Sequence, residues 1–435
     1  MSKVSLLIYK MMETMNKNTN GWIGLEDLTA DPKFIEAQES EINPVAIESL
    51  LEDDKSVEIS ANRRDFLKVL GFGITAATMA SCEIPVKRAI PYLVAPDEIV
   101  PGIANYYASS FVNGGDYCSV LVKTREGRPI KLEGNPSSPV TMGGTSARVQ
   151  AAVLSLYDVN RLKGPSRISD GKTEPLTWAD LDKELSEKFQ AAPRITIITT
   201  TQMSPTAAKA VLEFSNKYPG SKVVSYDPVS SAALLQAVQD GFGKRAIPDY
   251  RFDKAETIVS FNADFLGTWI SPIEYAAQYA KRRSINFSQP EMSRHYQVES
   301  HMSLTGSNAD NRILVKPSEQ GAAISYLYSL IASKSGASSN GGASGLSEKA
   351  QKALNAAAES LWTNKGKSLV VSASNNVGEQ TLVLAINSLL GNIGTTLGFA
   401  RSSNQRKGDE RQIAECIKDI NGGNVDAVIL WNANP

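Results

Sequence analysis

Short apolar runs set between helical stretches constrain this chain more than any other feature. Ile195-Thr196-Ile197-Ile198, Val223 to Tyr226, Thr257 to Phe261, Ser368 to Ser372 and Asp426 to Trp431 are each near-continuously apolar. Strands of that kind are buried on both faces, as in parallel sheets covered by helices. Between them lie stretches with helical periodicity: Leu181 to Phe189, Pro205 to about Tyr218, Ala232 to Val238, and Gly378 to Leu390. Pro205 opens its helix at the first turn, where a missing N–H costs nothing. From Trp178 onward the chain is therefore expected to be α/β, with two related parallel-sheet lobes. Their relatedness rests on two runs. Ala255 to Asp264 and Val425 to Asn434 both pass from an acidic start through an apolar strand to Asn-Ala-Asp or Asn-Ala-Asn. A Gly/Ser-rich linker at 334–346 divides lobe 1 (166–333) from lobe 2 (347–435). The second lobe stops directly after a strand, so it reads as truncated or as completed by a partner.

Upstream, the organisation differs. Residues 83–105 carry four prolines and read as an extended arm. A small β-rich unit follows, to about residue 165. Cys118 to Lys123 is a strand, Glu126-Gly127 its turn, and Pro129 to Glu133 the return strand. Ser146 to Tyr157 is helical, with Val149, Val153 and Leu156 on one face.

Residues 1–61 form a polar, acidic leader, and residues 62–82 form a distinct signal. Arg63 and Arg64 precede Asp65, Phe66, Leu67 and Lys68, and then a weakly apolar run from Val69 to Ala80. This is the pattern of a twin-arginine export signal. A buried helix with that start would set basic residues against its own macrodipole. The run is too short and too glycine-rich for a stable spanning helix. Met79-Ala80-Ser81-Cys82 looks like a lipobox that offers Cys82 for lipidation; the alternative is a small residue near an ordinary cleavage point. Such signals normally begin near the start codon. Here the leader is an extension, or the start codon is misplaced. The expected destination is the periplasmic face of the inner membrane.

Composition narrows the chemistry. The 435 residues carry a formal net charge of −1, which makes no electrostatic case for nucleic acid. Two histidines and three cysteines argue against a His-ligated metal centre or a disulfide framework. Cys416, on an expected helix, reads as a buried core thiol. No Gly-x-Gly-x-x-Gly loop or Gly-x-Ser-x-Gly elbow occurs. Ser204, Asn262 and Asp264 fall at the C-terminal ends of strands, where such sheets bind ligands. Glu299, His301 and Asp310 suggest a catalytic group at first sight but read as structural or surface residues.

Several segments resemble the molybdopterin oxidoreductase family: Gly143-Gly144-Thr145-Ser146-Ala147-Arg148, Tyr157 to Pro165, Val298-Glu299-Ser300, and Leu304 to Arg312. The resemblance spans about residues 90 to 435. With the late export signal, Gly114-Gly115-Asp116-Tyr117-Cys118 is similar to the molybdopterin-type subunit of the quinol-oxidising alternative complex III. The resemblance implies partner subunits that carry iron–sulfur clusters and cytochrome c, quinol-binding integral membrane subunits, and passage through the Tat translocase. Catalytic members of the family hold a [4Fe–4S] cluster on four cysteines. Only Cys118 stands in such a place here. Ala108, Ser109 and Ser110 lie where upstream thiols belong, and Ser146 stands where the fourth does. One thiolate cannot hold four irons, so no cluster is expected in this chain and a molybdopterin is not expected either. Iron–sulfur clusters belong to a downstream domain or a partner. Arg148 matches the family's basic position beside the pterin, with a structural salt bridge as the favoured reading; Asn262 is a second, weaker cofactor-binding candidate. The expectation is a non-catalytic subunit of a membrane-associated respiratory complex. The alternatives are an active molybdopterin-dependent oxidoreductase of the polysulfide or tetrathionate reductase type, and a two-lobe periplasmic binding protein.

Overall fold

The computed structural model describes residues 99–434, apart from Pro101 and residues 192–193, 288–289 and 338–344. The leader, the twin-arginine signal with Arg63, Arg64, Phe66, Leu67, Lys68 and Cys82, and most of the Gly/Ser linker lie outside the described residues. Val100–Ser284 and Glu291–Pro435 together make up one structural unit.

The β-rich part of this unit is an antiparallel sheet of β1 (Asn105–Asn113), β2 (Asp116–Arg125) and β3 (Arg128–Gly134). The turn between β2 and β3 has Glu126 and Gly127 both at positive φ, 51° and 75°, the geometry that matches strand twist in a two-residue hairpin. The helix α1 (Ala147–Ala151) and a 3-10 turn at Ala152–Leu156 close it. Its core is small: Cys118, Val120, Leu132 and Val149, with Ile273 reaching in from a later helix.

After a hairpin of β4 (Ser166–Ser169) and β5 (Lys172–Pro175), the α/β region begins with α2 (Trp178–Ala191), β6 (Ile195–Thr199), α3 (Pro205–Lys217) and β7 (Lys222–Ser225). Phe189 of α2 meets Phe214 and Tyr218 beside α3 edge-on. Then come α4 (Ala232–Phe242), β8 (Ile247–Tyr250), β9 (Thr257–Phe261), α5 (Pro272–Arg283), β10 (Arg294–Glu299), α6 (Leu304–Ser307) and β11 (Asn311–Leu314). The last elements are α7 (Gln320–Ser335), α8 (Glu348–Thr363), β12 (Ser368–Ser372), α9 (Val377–Leu389), β13 (Leu397–Ser403), α10 (Glu410–Asn421) and β14 (Ala427–Trp431).

Two parallel sheets organise this region. One has the order β11-β10-β9-β12, the other β14-β6-β7. Each takes strands from both sides of the Gly/Ser stretch: β12 pairs with β9, and β14 pairs with β6. The lobes therefore interleave in sequence rather than following one another. On one face of the larger sheet, Val259, Phe261, Val298 and Val370 pack with Ile324, Leu327, Leu354 and Leu361 from α7 and α8. On the other, Ile258, Leu369 and Val371 pack with Leu235, Val238 and Tyr275 from α4 and α5. In the smaller sheet, Ile198 and Val224 pack against Cys416 of α10.

The two similar runs share a local geometry. Both strands end in a left-handed asparagine, Asn262 at φ 54° and Asn432 at φ 51°, a conformation asparagine tolerates better than most residues. Both are preceded by an acidic residue tied to the basic residue that precedes the neighbouring strand. The Glu256 amide donates to the Lys367 carbonyl at 2.6 Å and its carboxylate meets Lys367 Nζ at 3.1 Å. The Asp426 amide donates to the Arg194 carbonyl at 2.9 Å and its carboxylate meets Arg194 Nη2 at 2.6 Å.

β12 is an edge strand, and its outward backbone groups are sealed by side chains. Asn387 Oδ1 accepts from the Val370 amide at 3.1 Å, and its Nδ2 donates to the Val370 carbonyl at 2.7 Å. Gln380 Nε2 donates to the Ser372 carbonyl at 3.0 Å, and Thr396 Oγ1 donates to that of Ser368. Asn387 is fully buried. Replacing it with leucine strands a buried amide and a buried carbonyl, so Asn387→Leu is expected to lower unfolding free energy by about 3 kcal/mol. Urea denaturation measures it.

Candidate functional site

Three places bring chemically capable residues together. The first surrounds Cys118, which the resemblance sets at a cluster-ligand position. Strand alternation turns Cys118 of β2 into the small core, where it is fully buried. Its thiol donates to the Gly144 carbonyl at 3.4 Å. Burial pushes its pKa up. Ser146 is committed too: it is the N-cap of α1, accepting from the Val149 amide at 3.3 Å. Arg148, on the same short helix, pairs with Asp116. The end of β3 approaches this loop so closely that a Cβ on Gly134 would lie 1.9 Å from the Gly143 carbonyl oxygen. Beside the motif lies a cleft of about 1190 Å³, lined by Asp116, Tyr117, Ser146, Arg148, Leu266 and Pro272 among others. The residues present do not fit a [4Fe–4S] cluster. The lone thiol is a buried, protonated hydrogen-bond donor, and the serine at the fourth position spends its oxygen on a helix cap. Ala108, Ser109 and Ser110 lie on β1, paired with Leu121, Val120 and Ser119 of β2.

The second place is a cleft of about 540 Å³ at the C-terminal ends of β9 and β12. Asn262, Asp264, Ser231, Ser374, Gln380 and Arg406 line it. Asp264 Oδ1 is engaged by the amide and hydroxyl of Thr305, at 3.0 and 2.8 Å. Asn262 and Asp264 are thus brought together. Ser204 is not among the lining residues; its hydroxyl caps α3 by accepting from the Ala207 amide at 3.2 Å.

The third is a polar ladder along one face of β10. His295, Gln297 and Glu299, all buried, project to the side of the sheet away from Tyr296 and Val298. Tyr279 Oη lies 3.1 Å from His295 Nδ1, His295 Nε2 lies 3.3 Å from Gln297 Oε1, and Gln297 Nε2 donates to Glu299 at 3.3 Å. Glu299 ends the ladder in an ion pair with Arg312 at 2.5 Å and accepts the Ser303 hydroxyl at 2.6 Å. Burial opposes ionisation of Glu299, but the Ser303 and Arg312 hydrogen bonds outweigh it and hold its pKa low. Asp310 accepts from Arg283 at 2.6 Å and from the His295 amide at 2.7 Å. His301 is exposed. Glu299, His301 and Asp310 are therefore not one cluster; two of them serve separate ion pairs. The ladder's residues stand two apart in the sequence, but neither periodicity nor motif singles them out.

Among the described residues, no group of three or more His, Cys, Asp or Glu side chains is placed to hold a metal ion, and no helix is long and apolar enough to cross a membrane.

Comparison with known proteins adds a relationship. No family model matches the chain. The molybdopterin-binding-like subunit of menaquinone reductase from Nitratidesulfovibrio vulgaris is 25% identical over 228 residues, 51% of this chain and 32% of that protein. A Bacillus subtilis protein described as the probable oxidoreductase YoaE is 27% identical over 79 residues, 17% of this chain and 12% of that protein. The matches thus span a third or less of these relatives' length. Acetylene hydratase from Pelobacter acetylenicus superposes with a TM-score of 0.44 at 10% identity, over 64% of this chain and 43% of that one. The first match relates the chain to molybdopterin oxidoreductase-like proteins.

The buried histidine and the buried thiols each set a measurable behaviour. Burial pushes the His295 pKa down to about 4 against an ordinary 6.5. The unfolded chain then binds the proton more readily between those values. Stability should rise with pH from about 4 to about 6.5, by about 3 kcal/mol in total, and be level above. His295→Gln should flatten that part of the denaturation profile. Cys118 and Cys416, both buried with thiol pKa values raised by burial, should resist iodoacetamide in the folded protein and alkylate only in denaturant, as read by peptide mass mapping.

Proposed function

We propose that this protein is a non-catalytic, molybdopterin-oxidoreductase-like subunit of a membrane-associated respiratory electron-transfer complex of the quinol-oxidising, alternative complex III type. The observation that carries this reading is the fate of the cluster motif. Cys118 packs in a small apolar core with its thiol on a backbone carbonyl, and Ser146 caps a helix where a ligand would stand. The parallel sheets with their sealed edge then supply a rigid body rather than a reaction site. Arg148 serves this body as the partner of Asp116. The relationship to a menaquinone reductase subunit supports the respiratory setting.

On this reading the protein is exported folded through the Tat translocase, directed by Arg63, Arg64, Phe66, Leu67 and Lys68. It then docks at the periplasmic face of the inner membrane, with Cys82 as the residue available for a lipid anchor. Electrons run through iron–sulfur clusters in a downstream domain or a neighbouring subunit, towards cytochrome c, from quinol bound by integral membrane partners.

Metal analysis of the purified full-length protein tests the central claim. Molybdenum is expected far below one equivalent. A value near one equivalent would overturn the reading in favour of an active molybdopterin-dependent oxidoreductase.

A further inference from the structure

An asparagine followed by glycine is chemically labile, because glycine has no side chain to shield its backbone nitrogen as that nitrogen approaches the carboxamide. The triplet Asn-Gly-Gly occurs at 113–115, 340–342 and 421–423; the second lies outside the described residues. The other two are identical in local sequence. In both, the asparagine and the glycine after it are exposed. What differs is the fold around them.

Asn421 is the last residue of α10, and the amide that follows it is fixed. The Gly422 N–H donates to the Lys418 carbonyl at 2.9 Å, which ends the helix. Asn113 ends β1, directly opposite Asp116 across the two-residue turn Gly114-Gly115, at φ 56° and 85°. Among the described residues the Gly114 N–H donates to no backbone acceptor, and no hydrogen bond holds the Asn113 carboxamide. A Cβ on Gly114 would meet nothing within 4 Å, so solvent reaches the nitrogen that must react.

We propose that Asn113 is a site of spontaneous deamidation in the folded protein and that the fold protects Asn421. The Gly114 amide nitrogen gives its proton to a solvent base and bonds to Asn113 Cγ. The bond from Cγ to the side-chain nitrogen breaks, ammonia leaves, and a five-membered succinimide remains. Water opens that ring at either carbonyl and yields an aspartyl or an isoaspartyl residue at position 113. Overall one water enters and one ammonia leaves, and nothing is oxidised or reduced. The new carboxylate stands across the ladder from Asp116, where like charges repel, and Asp116 is the partner of Arg148. The isoaspartyl form also adds a methylene to the main chain beside a tight turn.

Peptide mapping by mass spectrometry tests this on the full-length protein, held at mildly alkaline pH below its unfolding temperature. The peptide containing Asn113 is expected to gain about 1 Da and to split into two isomers. It should do so roughly tenfold faster, or more, than the peptide containing Asn421. In concentrated urea the two rates should converge, since the triplets are the same. Asn113→Gln should abolish the fast product and leave the Asn421 rate unchanged. The proposal is overturned if Asn421 is modified as fast as Asn113 in the folded protein, or if the difference between them survives in urea.

Discussion

The larger sheet depends on the closing of one edge. Parallel sheets are stable when both faces are covered and neither edge is left with unpaired backbone inside the protein. Here β12 has a neighbour on one side only, β9. Its other side is met by the amide side chains of Asn387 and Gln380 and the hydroxyl of Thr396. Two of these belong to α9, so the helix is fixed by hydrogen bonds where a strand would otherwise be. That position lets α9 contribute Val383 and Ile386 to one core and Leu384 to the other. The cleft at the C-terminal ends of β9 and β12 sits at the end of the same arrangement, bounded by Ser372 of β12 and Gln380 of α9.

Elements whose local pattern agreed with their burial were legible in the sequence. The continuous apolar strands β6, β9 and β12 and the hairpin at Glu126-Gly127 stood out for that reason. β10 did not, because its inner residues His295, Gln297 and Glu299 are polar and satisfy one another only in three dimensions. β8, with Pro248 and Asp249, and the largely exposed β1 give no apolar signal either. The cleft was half legible. Asn262 and Asp264 lie where parallel sheets bind ligands. Arg406 sits in the polar run Ser402 to Glu410, which carries no motif, and only the tertiary fold shows it to be buried.

The site that resemblance points to and the site that physics points to are different. Around Cys118, the residues that the resemblance sets at ligand positions serve as a core thiol and a helix cap. At the second cleft Arg406 is buried, with the Asp227 and Asp116 carboxylates acting on its charge. The second cleft is built from residues that the first does not use.

The pairing of β6 with β14 also bears on how the molecule is made. Arg194 and Asp426, which tie the start of those strands together, are 232 residues apart, and β9 likewise waits for β12 across more than a hundred. Neither sheet can be completed while the ribosome is still delivering the intervening chain. Long-range pairing of this kind is slow and leaves apolar strand edges open meanwhile. Assembly must therefore follow release of the later strands, and a half-made chain is the species most in need of protection from aggregation.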